Sequence, residues 1–350
     1  MPFGVPDPKE GPSRARPHSP PSCRVLDVAI PVYNEENTIR GALDSLRGQD
    51  LPPDVGFGSF WVIASGCTDR TVERVRDMAL RDPRIHLHIE DRRTGKSSAL
   101  AQIWGKIDAD YLLMMDGDSR ALPGSLRALL ERARRLPPPL AVMGCPVPPR
   151  DKVGYIDGEI QLLYDLHHAF HDLSVNRRQT ATHLSDNLLL LSARPLPPLP
   201  PYIVNEGSWI GTWLRARGGH LAYVPEARVE IEIPRDFFDH LAQRRRIHWG
   251  HRQVGELTGQ AVSTLQSLLF QDPLTAVRMT LGTARRLPHG GRRLATLFVG
   301  EVLAHLMALW DQYVGHRDHI RWTVIKDSFP RGSTFSEPLS KTANPLRGRP

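Results

Sequence analysis

Short apolar runs alternate with longer amphipathic stretches from Val25 onward. Amphipathic helices are predicted between the runs; Asn34 or Glu35 can cap the first helix, and Thr68 or Asp69 the second. This alternation predicts an α/β fold with a mostly parallel sheet and helices on both faces. In such sheets ligands bind beyond the carboxyl ends of the strands, so functional residues are expected in the loops that follow them. The predicted strands are VLDVAIPV (25–32), FWVIA (60–64), RIHLHIE (84–90), YLLMMD (111–116) and LAVMGC (140–145), and the predicted helices are 36–46, 69–81, 96–107 and 122–135.

The alternation becomes less regular after Pro146. Residues 261–326 have a helical, amphipathic pattern that prolines and a Gly-Gly pair interrupt. The segments 1–23 and 327–350 are rich in Pro, Ser and Arg, and we expect both to be disordered because they have little to bury. The elements predicted in between are a helix at 158–173, a strand at 187–192, a helix at 206–217, a strand at 220–224 and a basic helix at 237–258.

The charge balance narrows the possible partners. The 350 residues include 45 Lys and Arg against 38 Asp and Glu, which gives a formal net charge of +7. This balance favours anionic partners such as a nucleotide or an acidic membrane surface. An Arg-rich composition explains it equally well, because the arginines are spread along the chain and do not form one stripe. We expect no nucleic-acid partner.

Cysteine usage and hydropathy lead us to expect a cytoplasmic protein. Three cysteines cannot build a disulfide framework, and no CxxC spacing suggests a zinc site. The first residues lack the apolar core of a secretory signal, and the sequence has no run of 18 apolar residues. The nearest candidate, 295–310, is interrupted by Gly300, Glu301 and His305, so we do not expect a membrane-spanning helix.

Asp116-Gly117-Asp118 is the strongest candidate for chemistry, because it closes the apolar run YLLMMD. Two carboxylates one residue apart at the end of a strand can converge on one hard cation, and Mg²⁺ and Mn²⁺ prefer oxygen ligands and diphosphates. An ordinary β-turn has the same composition. The position after the fourth strand favours a metal site over a simple turn.

Two common phosphate-binding motifs are excluded by the glycine spacing. Residues 95–97 (GKS) have the end of a Walker A motif, but Glu90 occupies the position of its first glycine. Residues 56–58 (GFG) precede a predicted strand, and Trp61 occupies the third glycine position of a dinucleotide-binding fingerprint. Neither a P-loop nor a dinucleotide-binding site is therefore expected.

Several motifs follow one another along the segment 25–260: AIPVYNEENTI (29–39), VIASGCTDRT (62–71), RRTGKSSALA (92–101), LLMMDGDS (112–119), GGHLAYVPEA (218–227) and QRRRI (243–247). Through these motifs, in this order, the segment resembles the family-2 inverting glycosyltransferases of the GT-A fold. Ala64 and Ser65 stand where that family often has aspartates, one of which binds the base. The resemblance implies a Rossmann-like GT-A domain at 24–260, divided into a nucleotide-sugar half (24–146) and an acceptor half (147–260), with a helical extension at 261–326.

The same resemblance implies a nucleoside-diphosphate sugar donor and a Mn²⁺ or Mg²⁺ ion. Asp116 and Asp118 would hold the metal. The metal would neutralise the charge that builds on the leaving nucleoside diphosphate. The donor contacts that the resemblance implies are Pro31, Tyr33, Asn34, Glu35, Ser65, Lys96, Asp116, Gln243 and Arg246.

Glu206 is the candidate general base of an inverting transfer, which needs a group that deprotonates the acceptor hydroxyl. The family usually has Glu-Asp at a helix start, upstream of a strand that ends in Val-Pro-Glu-Ala. Counting back from 218–227 places Glu206-Gly207 at that site, with Gly207 at the aspartate position. The competing interpretation is that Glu206 only complements the dipole at the start of a helix.

Three other features have a chemical and a structural interpretation. The arginines of 243–247 either bind a diphosphate or form a solvated basic face, and Ile247 replaces the tryptophan of the family motif. The apolar face of 294–314 either packs on the catalytic domain or gives residues 261–326 a peripheral membrane contact. His167 and His171, on one helix face, are a possible metal pair, but a polar surface or an acceptor contact is favoured over metal binding.

The leading hypothesis is thus a metal-dependent inverting glycosyltransferase acting on a lipid, a saccharide or a secondary metabolite. A sugar-phosphate nucleotidyltransferase is one alternative, but the loop PVYNEEN lacks the glycine-rich, Arg-containing sequence that this class carries after its first strand. A non-catalytic nucleotide-sugar-binding protein is the other, and the departures at 64, 65 and 207 would favour it.

Overall fold

The computed structural model describes residues 23–149, 157–234 and 236–321. The segments predicted to be disordered, 1–23 and 327–350, lie outside the described residues except for Cys23. The remaining expectations can be compared with the structure element by element.

One mixed sheet of eight strands organises the part of the chain that the structure describes, in the order β3-β2-β1-β4-β7-β6-β8-β5. The pairs β1–β2, β2–β3, β1–β4 and β6–β8 are parallel, whereas β4–β7, β6–β7 and β5–β8 are antiparallel. The strands are β1 (Arg24–Val32), β2 (Val55–Ser65), β3 (Ile85–Glu90), β4 (Tyr111–Met115), β5 (Arg120–Ala121), β6 (Leu140–Val147), β7 (Leu188–Ser192) and β8 (His220–Glu230).

Helices cover the sheet and continue beyond it. A short π-helical segment, Asp172–Arg177, extends α5. The helices are α1 (Ile39–Arg47), α2 (Thr71–Ala79), α3 (Lys96–Trp104), α4 (Ser125–Ala133), α5 (Asp157–His171), α6 (Glu206–Ala216), α7 (Phe237–Thr258), α8 (Leu265–Gln271), α9 (Pro273–Ala284) and α10 (Gly290–Tyr313).

The central strand β4 shows why the fold is layered. All five of its side chains are buried, and they alternate between two apolar clusters on opposite faces of the sheet. Leu113 and Met115 pack with the cluster that contains α1, while Leu112 and Met114 pack with the cluster that contains α3. A strand covered on both faces reads as a continuous apolar run, which is the pattern that YLLMMD shows.

The α/β fold predicted from the sequence is confirmed, and its boundaries shift for physical reasons. The basic helix has the predicted bounds, 237–258. The first helix begins at Ile39 with Thr38 as its N-cap residue, so neither Asn34 nor Glu35 caps it. The Asn34 side chain instead bonds to Thr68 in the next loop.

The extension formed by α8, α9 and α10 packs on α5 and α7. Leu162, Leu163 and Leu166 of α5 form a small apolar cluster with Ala284 and Leu297. Buried ion pairs tie α7 to α10: Arg244 binds Glu301 at 2.5 Å, and Arg245 binds Asp311. The inner side of the extension therefore packs on the preceding part of the fold, which is one of the two interpretations of this segment.

The outer side of the extension remains apolar and exposed. Leu274, Val299 and Trp310 are 58%, 52% and 62% exposed. Among the described residues, α10 is the one helix whose length and composition would allow it to cross a membrane, and only 28% of its most apolar window is buried.

Candidate active site

A cavity of about 1850 Å³ opens beyond the carboxyl ends of β1, β2 and β4, where the sequence predicted the functional residues. The strand β7 runs antiparallel to β4 and pairs Leu188 with Met115, so its amino end lies at the same edge. Asp186 and Asn187, which precede β7, are therefore brought beside Asp116. These two residues were not predicted from the sequence.

Lys96 is clamped between two of these carboxylates. Its Nζ atom lies 2.6 Å from Asp116 Oδ1 and 2.8 Å from Asp186 Oδ2. Asn187 Nδ2 donates a hydrogen bond of 3.1 Å to the other oxygen of Asp116. Burial alone would lower the pKa of Lys96, but the Asp116 and Asp186 carboxylates outweigh it and raise that pKa. Lys96 is thus a permanent positive charge at the start of α3.

Asp118 lies in an acidic environment. Burial raises the pKa of the Asp118 carboxyl to about 7, and the neighbouring Asp116 and Glu232 carboxylates contribute to the rise. Burial, followed by the charge of Asp118, also raises the pKa of Glu35. Gly117 lets the Asp116–Asp118 turn lie close to the end of β1, because a Cβ atom at position 117 would lie 2.5 Å from Val32 Cγ1. The site therefore concentrates negative charge in a small, buried space.

The donor set fits a divalent cation that shares its coordination with a phosphate. Asp118 and Asp116 supply hard oxygen ligands, while Lys96 and Asn187 already contact Asp116. Across residues 23–149, 157–234 and 236–321, no three His, Cys, Asp or Glu side chains are grouped to hold a metal ion by themselves. Mg²⁺ is commonly bound in this way, by one or two carboxylates together with substrate phosphates and water.

The loops after β1 and β2 are joined to each other. Thr68 N donates to Asn34 Oδ1 at 2.8 Å, and Asn34 Nδ2 donates to Thr68 Oγ1 at 3.1 Å. Asn34 has a φ of 57°, a left-handed conformation that asparagine tolerates better than most residues. Asn34 lines the cavity, and these bonds give it a second role in holding the two loops together.

The nucleotide contacts predicted near the ends of β1 and β2 differ in how exposed their side chains are to a ligand. Ser65 is buried, and its Oγ atom accepts a hydrogen bond of 3.1 Å from Thr94 N. The Tyr33 ring faces the cavity with the Arg93 guanidinium 3.8 Å from its centroid. Pro31 and Glu35 also line the cavity. Arg93 was not singled out in the sequence, and its signal was its place in the RRTGKSSALA segment, next to the predicted contact Lys96.

Glu206 begins α6 and lies in the same cavity, 2% exposed. Ser97 Oγ lies 2.7 Å from both Glu206 Oε1 and the carbonyl oxygen of Ile203. Burial raises the pKa of the Glu206 carboxyl to about 7, against the lowering effect of the Lys96 charge. We call the group formed by Lys96, Asp116, Asp118, Asp186 and Glu206 the charged end of the cavity.

The missing aspartate at position 207 has a steric reason. A Cβ atom on Gly207 would lie 2.0 Å from the carbonyl oxygen of Leu184, and one on Gly211 would lie 2.2 Å from that of Thr182. These two glycines, one turn apart, let α6 pack directly on the backbone of 182–184. Any side chain at 207 would displace this segment, which leads into Asp186. The second carboxylate of this region is therefore Asp186, carried by the neighbouring loop.

The three consecutive arginines of α7, 244–246, divide between two tasks. Arg244 is 6% exposed and makes a bidentate pair with Glu301, and Arg245 pairs with Asp311. The interpretation of this segment as a solvated basic face is thus wrong for these two residues. Arg246 and Gln243 line the cavity, and the Arg246 charge lowers the pKa of Asp116, Asp186 and Glu206.

A chain of imidazole rings lines the middle of the cavity. The centroid of the His183 ring lies 5.6 Å from that of His171 and 4.9 Å from that of His251, and the His167 centroid lies 6.2 Å from that of His171. Burial lowers the pKa of His167 to about 3 and that of His183 to about 4, so these rings are neutral at pH 7. We call His167, His171, His183 and His251 the imidazole collar. They line a cavity and are not part of an outer surface.

Comparisons with known proteins show which family the sheet-forming part of this chain resembles. Residues 27–187 match the family model described as "Glycosyl transferase family 2". An N-acetylglucosaminyltransferase of Rhizobium meliloti is 31% identical over 115 residues, which are 32% of this chain and 26% of that protein. The match therefore spans about a quarter of that relative.

The fold is supported by the structure of a mannosyltransferase. The mannosyltransferase PcManGT from Pyrobaculum calidifontis, solved in complex with GDP-Man and Mn²⁺, superposes with a TM-score of 0.55 at 18% identity, covering 82% of this chain and 87% of that one. Residues 1–349 of S. aureus TarS in complex with UDP-GlcNAc give a TM-score of 0.46 at 11% identity over 83% of this chain and 92% of that one.

Proposed function

Residues 27–187 belong to glycosyl transferase family 2, and from this premise we propose that the chain is a metal-dependent, inverting glycosyltransferase. It transfers a sugar from a nucleoside-diphosphate sugar to a hydroxyl-bearing acceptor. The observation that carries the proposal is the convergence of Lys96, Asp116, Asp118 and Glu206 in one cavity at the strand ends. Residues 24–146 supply the donor side of that cavity, and residues 147–260 supply the acceptor side.

Asp118, with Asp116, would hold Mn²⁺ or Mg²⁺ between the protein and the donor diphosphate. Bound there, the cation supplies Lewis-acid neutralisation of the departing phosphate charge. Lys96 and Arg246 add positive charge from the protein itself. Because the Lys96 ammonium is fixed between two carboxylates, this charge needs little reorganisation when the donor bond breaks.

Tyr33 and Arg93 are the candidates for holding the donor base. The two groups stack with the guanidinium 3.8 Å from the ring centroid, which gives the cavity a flat, polarisable wall near the Asp116–Asp118 turn. A planar guanidinium and an aromatic ring can both stack on a nucleobase. This wall stands in for the aspartates that positions 64 and 65 lack.

Glu206 is the proposed general base. Its carboxyl has a pKa near 7, so a large fraction is ionised at neutral pH, and its proton affinity suits the removal of a hydroxyl proton as the C–O bond forms. Ser97 orients the carboxylate through its hydrogen bond. The proton of the acceptor hydroxyl passes to Glu206 as the nucleoside diphosphate leaves.

We place this chemistry beside a membrane at its cytoplasmic face, with residues 261–326 as the peripheral contact. The exposed apolar side chains of α9 and α10 that lie outside the cavity support this placement, as do Arg292 and Arg293 at the start of α10. In flotation with anionic liposomes, the double variant Leu303→Asp/Trp310→Ala should lose most of the binding that the wild type shows. If the wild type does not float, or the variant floats equally well, the membrane contact is rejected.

The proposed donor site is tested by thermal shift with UDP, GDP and dTDP, each with and without Mn²⁺. At a nucleotide concentration of about 100 times the dissociation constant, binding to the folded state should add roughly 2.7 kcal/mol to the free energy of unfolding. At least one nucleotide should give this stabilisation, and Mn²⁺ should increase it.

Two variants make the test specific. Asp118→Asn should lose the increase caused by Mn²⁺, whereas Asp44→Asn, on the exposed side of α1, should behave as the wild type. A wild type that no nucleotide stabilises, or an Asp118→Asn protein that responds to Mn²⁺ in full, would contradict the donor site.

A further inference from the structure

The cavity does not end at the charged end. It continues past the imidazole collar into a space between α5, α7 and the extension helices α8, α9 and α10. We call this space the apolar chamber. The side chains that define it are Leu265, Leu269, Val277, Leu281, Phe298 and Val302.

The chamber differs from a packed core in the exposure of its walls. Val277, Leu281 and Val302 face the cavity and are still 44%, 41% and 42% exposed. Apolar surface that remains accessible costs free energy that a core would recover, and an exposed apolar region of this kind commonly marks a binding site. Since the chamber is continuous with the charged end, a single ligand can occupy both.

The collar provides a second, independent sign of a ligand. Within the described residues, His171 Nδ1 and His251 Nε2 are buried and have no hydrogen-bond partner, and both rings line the cavity. Buried polar atoms are nearly always satisfied by protein, water or ligand. The two nitrogens are therefore available to pair with hydroxyl groups of a ligand held between the charged end and the chamber.

We infer that the acceptor is an amphiphile with an uncharged, hydroxyl-bearing head at the imidazole collar and an apolar chain in the chamber. This inference rests on the proposed function, because it names the acceptor class of the same site. The neutral state of the collar rings, which burial imposes by lowering their pKa, suits an uncharged head. The Arg244 charge, which helps to lower the pKa of His167, His183 and His251, is already paired with Glu301.

The inference is tested by displacement of the neutral fluorescent probe N-phenyl-1-naphthylamine with n-alkanols from hexanol to dodecanol. Each additional methylene that enters the chamber should tighten binding about fourfold, up to a plateau at the length that fills it. Dodecanol should bind more tightly than dodecyl sulfate and than dodecyltrimethylammonium. Affinity that is independent of chain length, or a preference for either charged head, would overturn the inference.

Matched variants test whether the alkyl chain of the ligand binds in the apolar chamber. Val302→Asp should weaken dodecanol binding by more than tenfold, whereas Val299→Asp, 52% exposed on the same helix and outside the chamber, should not. Leu281→Asp and Leu274→Asp form a second such pair on α9, with the former in the chamber and the latter, 58% exposed, outside it. Equal effects within both pairs would overturn the assignment.

The result of the alkanol test can be distinguished from the result of the test of the proposed function. Stabilisation by a nucleoside diphosphate with Mn²⁺ depends on the charged end and should be the same in Val302→Asp and the wild type. If alkanols fail to bind while nucleotides do, the chamber inference falls and the donor site stands.

Discussion

The charged end and the apolar chamber are two parts of one cavity that are built in different ways. The charged end is carried by strand ends and helix starts, and its side chains are fixed by contacts of 2.6–3.1 Å among Lys96, Asp116, Asp186 and Asn187. The chamber is built from helices appended after the sheet, and its side chains remain partly exposed. The comparison teaches how the two proposals divide the molecule: the proposed reaction depends on the sheet, and the proposed selection of the acceptor depends on the appended helices.

The largest expected effect is a loss of turnover when Glu206, in the charged end, is substituted. Glu206→Gln keeps the size and the hydrogen-bonding capacity of the side chain but removes its ability to accept a proton. Turnover should fall by about 10² to 10⁴. Nucleotide stabilisation with Mn²⁺ and dodecanol binding should both be retained, because neither needs the base. Steady-state kinetics, thermal shift and probe displacement measure the three quantities.

Glu73→Gln, on the exposed face of α2, is the matched control and should keep full turnover. If Glu206→Gln has near-normal turnover, Glu206 has only a structural role at the start of α6. The reaction would then have to use another base.

An intermediate effect is expected at the collar, where the two ends meet. His171 is 3% exposed, and burial lowers its pKa well below the usual value of 6.5. As the pH falls below 6.5, the unfolded chain takes up a proton that the folded chain refuses, so the ring lowers the free energy of unfolding. At pH 5.5 this loss has an upper limit of about 1.4 kcal/mol, a tenfold change in the folding equilibrium.

The contribution of His171 is isolated by comparison with His171→Gln in urea unfolding at pH 7.5 and pH 5.5. The buried carboxylates, whose raised pKa values act in the opposite direction, are common to both proteins and cancel in the comparison. The variant should lose less stability on acidification than the wild type, whereas His86→Gln, an exposed site, should match the wild type. Equal losses in wild type and His171→Gln would show that His171 is protonated in the folded state.

The smallest expected effect is a shift in the pKa of Glu206 when its hydrogen-bond partner Ser97 is substituted. The Ser97 hydroxyl lowers the pKa of Glu206, so Ser97→Ala should raise that pKa. The acid limb of the turnover–pH profile, expected near pH 7, should then move to higher pH. Turnover at pH 6.5 should fall a few-fold, while turnover at pH 8.5 is retained, because the base is ionised there in both proteins.

Ser98→Ala, one residue further along α3, is the control and should leave the acid limb of the turnover–pH profile at the same pH as in the wild type. A limb that stays unchanged in Ser97→Ala would mean that it reports a group other than Glu206.

The features that could be predicted from the sequence are those set by local pattern. The buried run at 111–116 predicts a central strand because both faces of β4 are covered, and the position of Asp116-Gly117-Asp118 follows from the end of that strand. The basic helix 237–258 has a clear start, since the Asp236 side chain caps it through the backbone N–H groups of Phe238 and Asp239.

The features that were missed depend on contacts between distant segments. Asp186 joins the site only because β7 runs antiparallel to β4, and no pattern in the sequence near position 186 predicts that pairing. The sequence shows that Gly207 replaces an aspartate but not why, since the reason is the Leu184 carbonyl oxygen across the helix interface. The second strand was predicted at 60–64 and extends over Val55–Ser65, because Gly56 and Gly58 obscure its apolar pattern.

The most direct test of the central claim is donor consumption by the purified chain. Labelled UDP-, GDP- and dTDP-sugars are incubated with Mn²⁺ and dodecyl glucoside, and nucleoside diphosphate release and the anomeric configuration of the product are measured. We expect at least one α-linked donor to be consumed with formation of a β-linked product, and consumption to stop with EDTA and in Asp118→Asn. A folded chain that consumes no donor of the panel, or one whose consumption is unchanged by EDTA, would contradict the account.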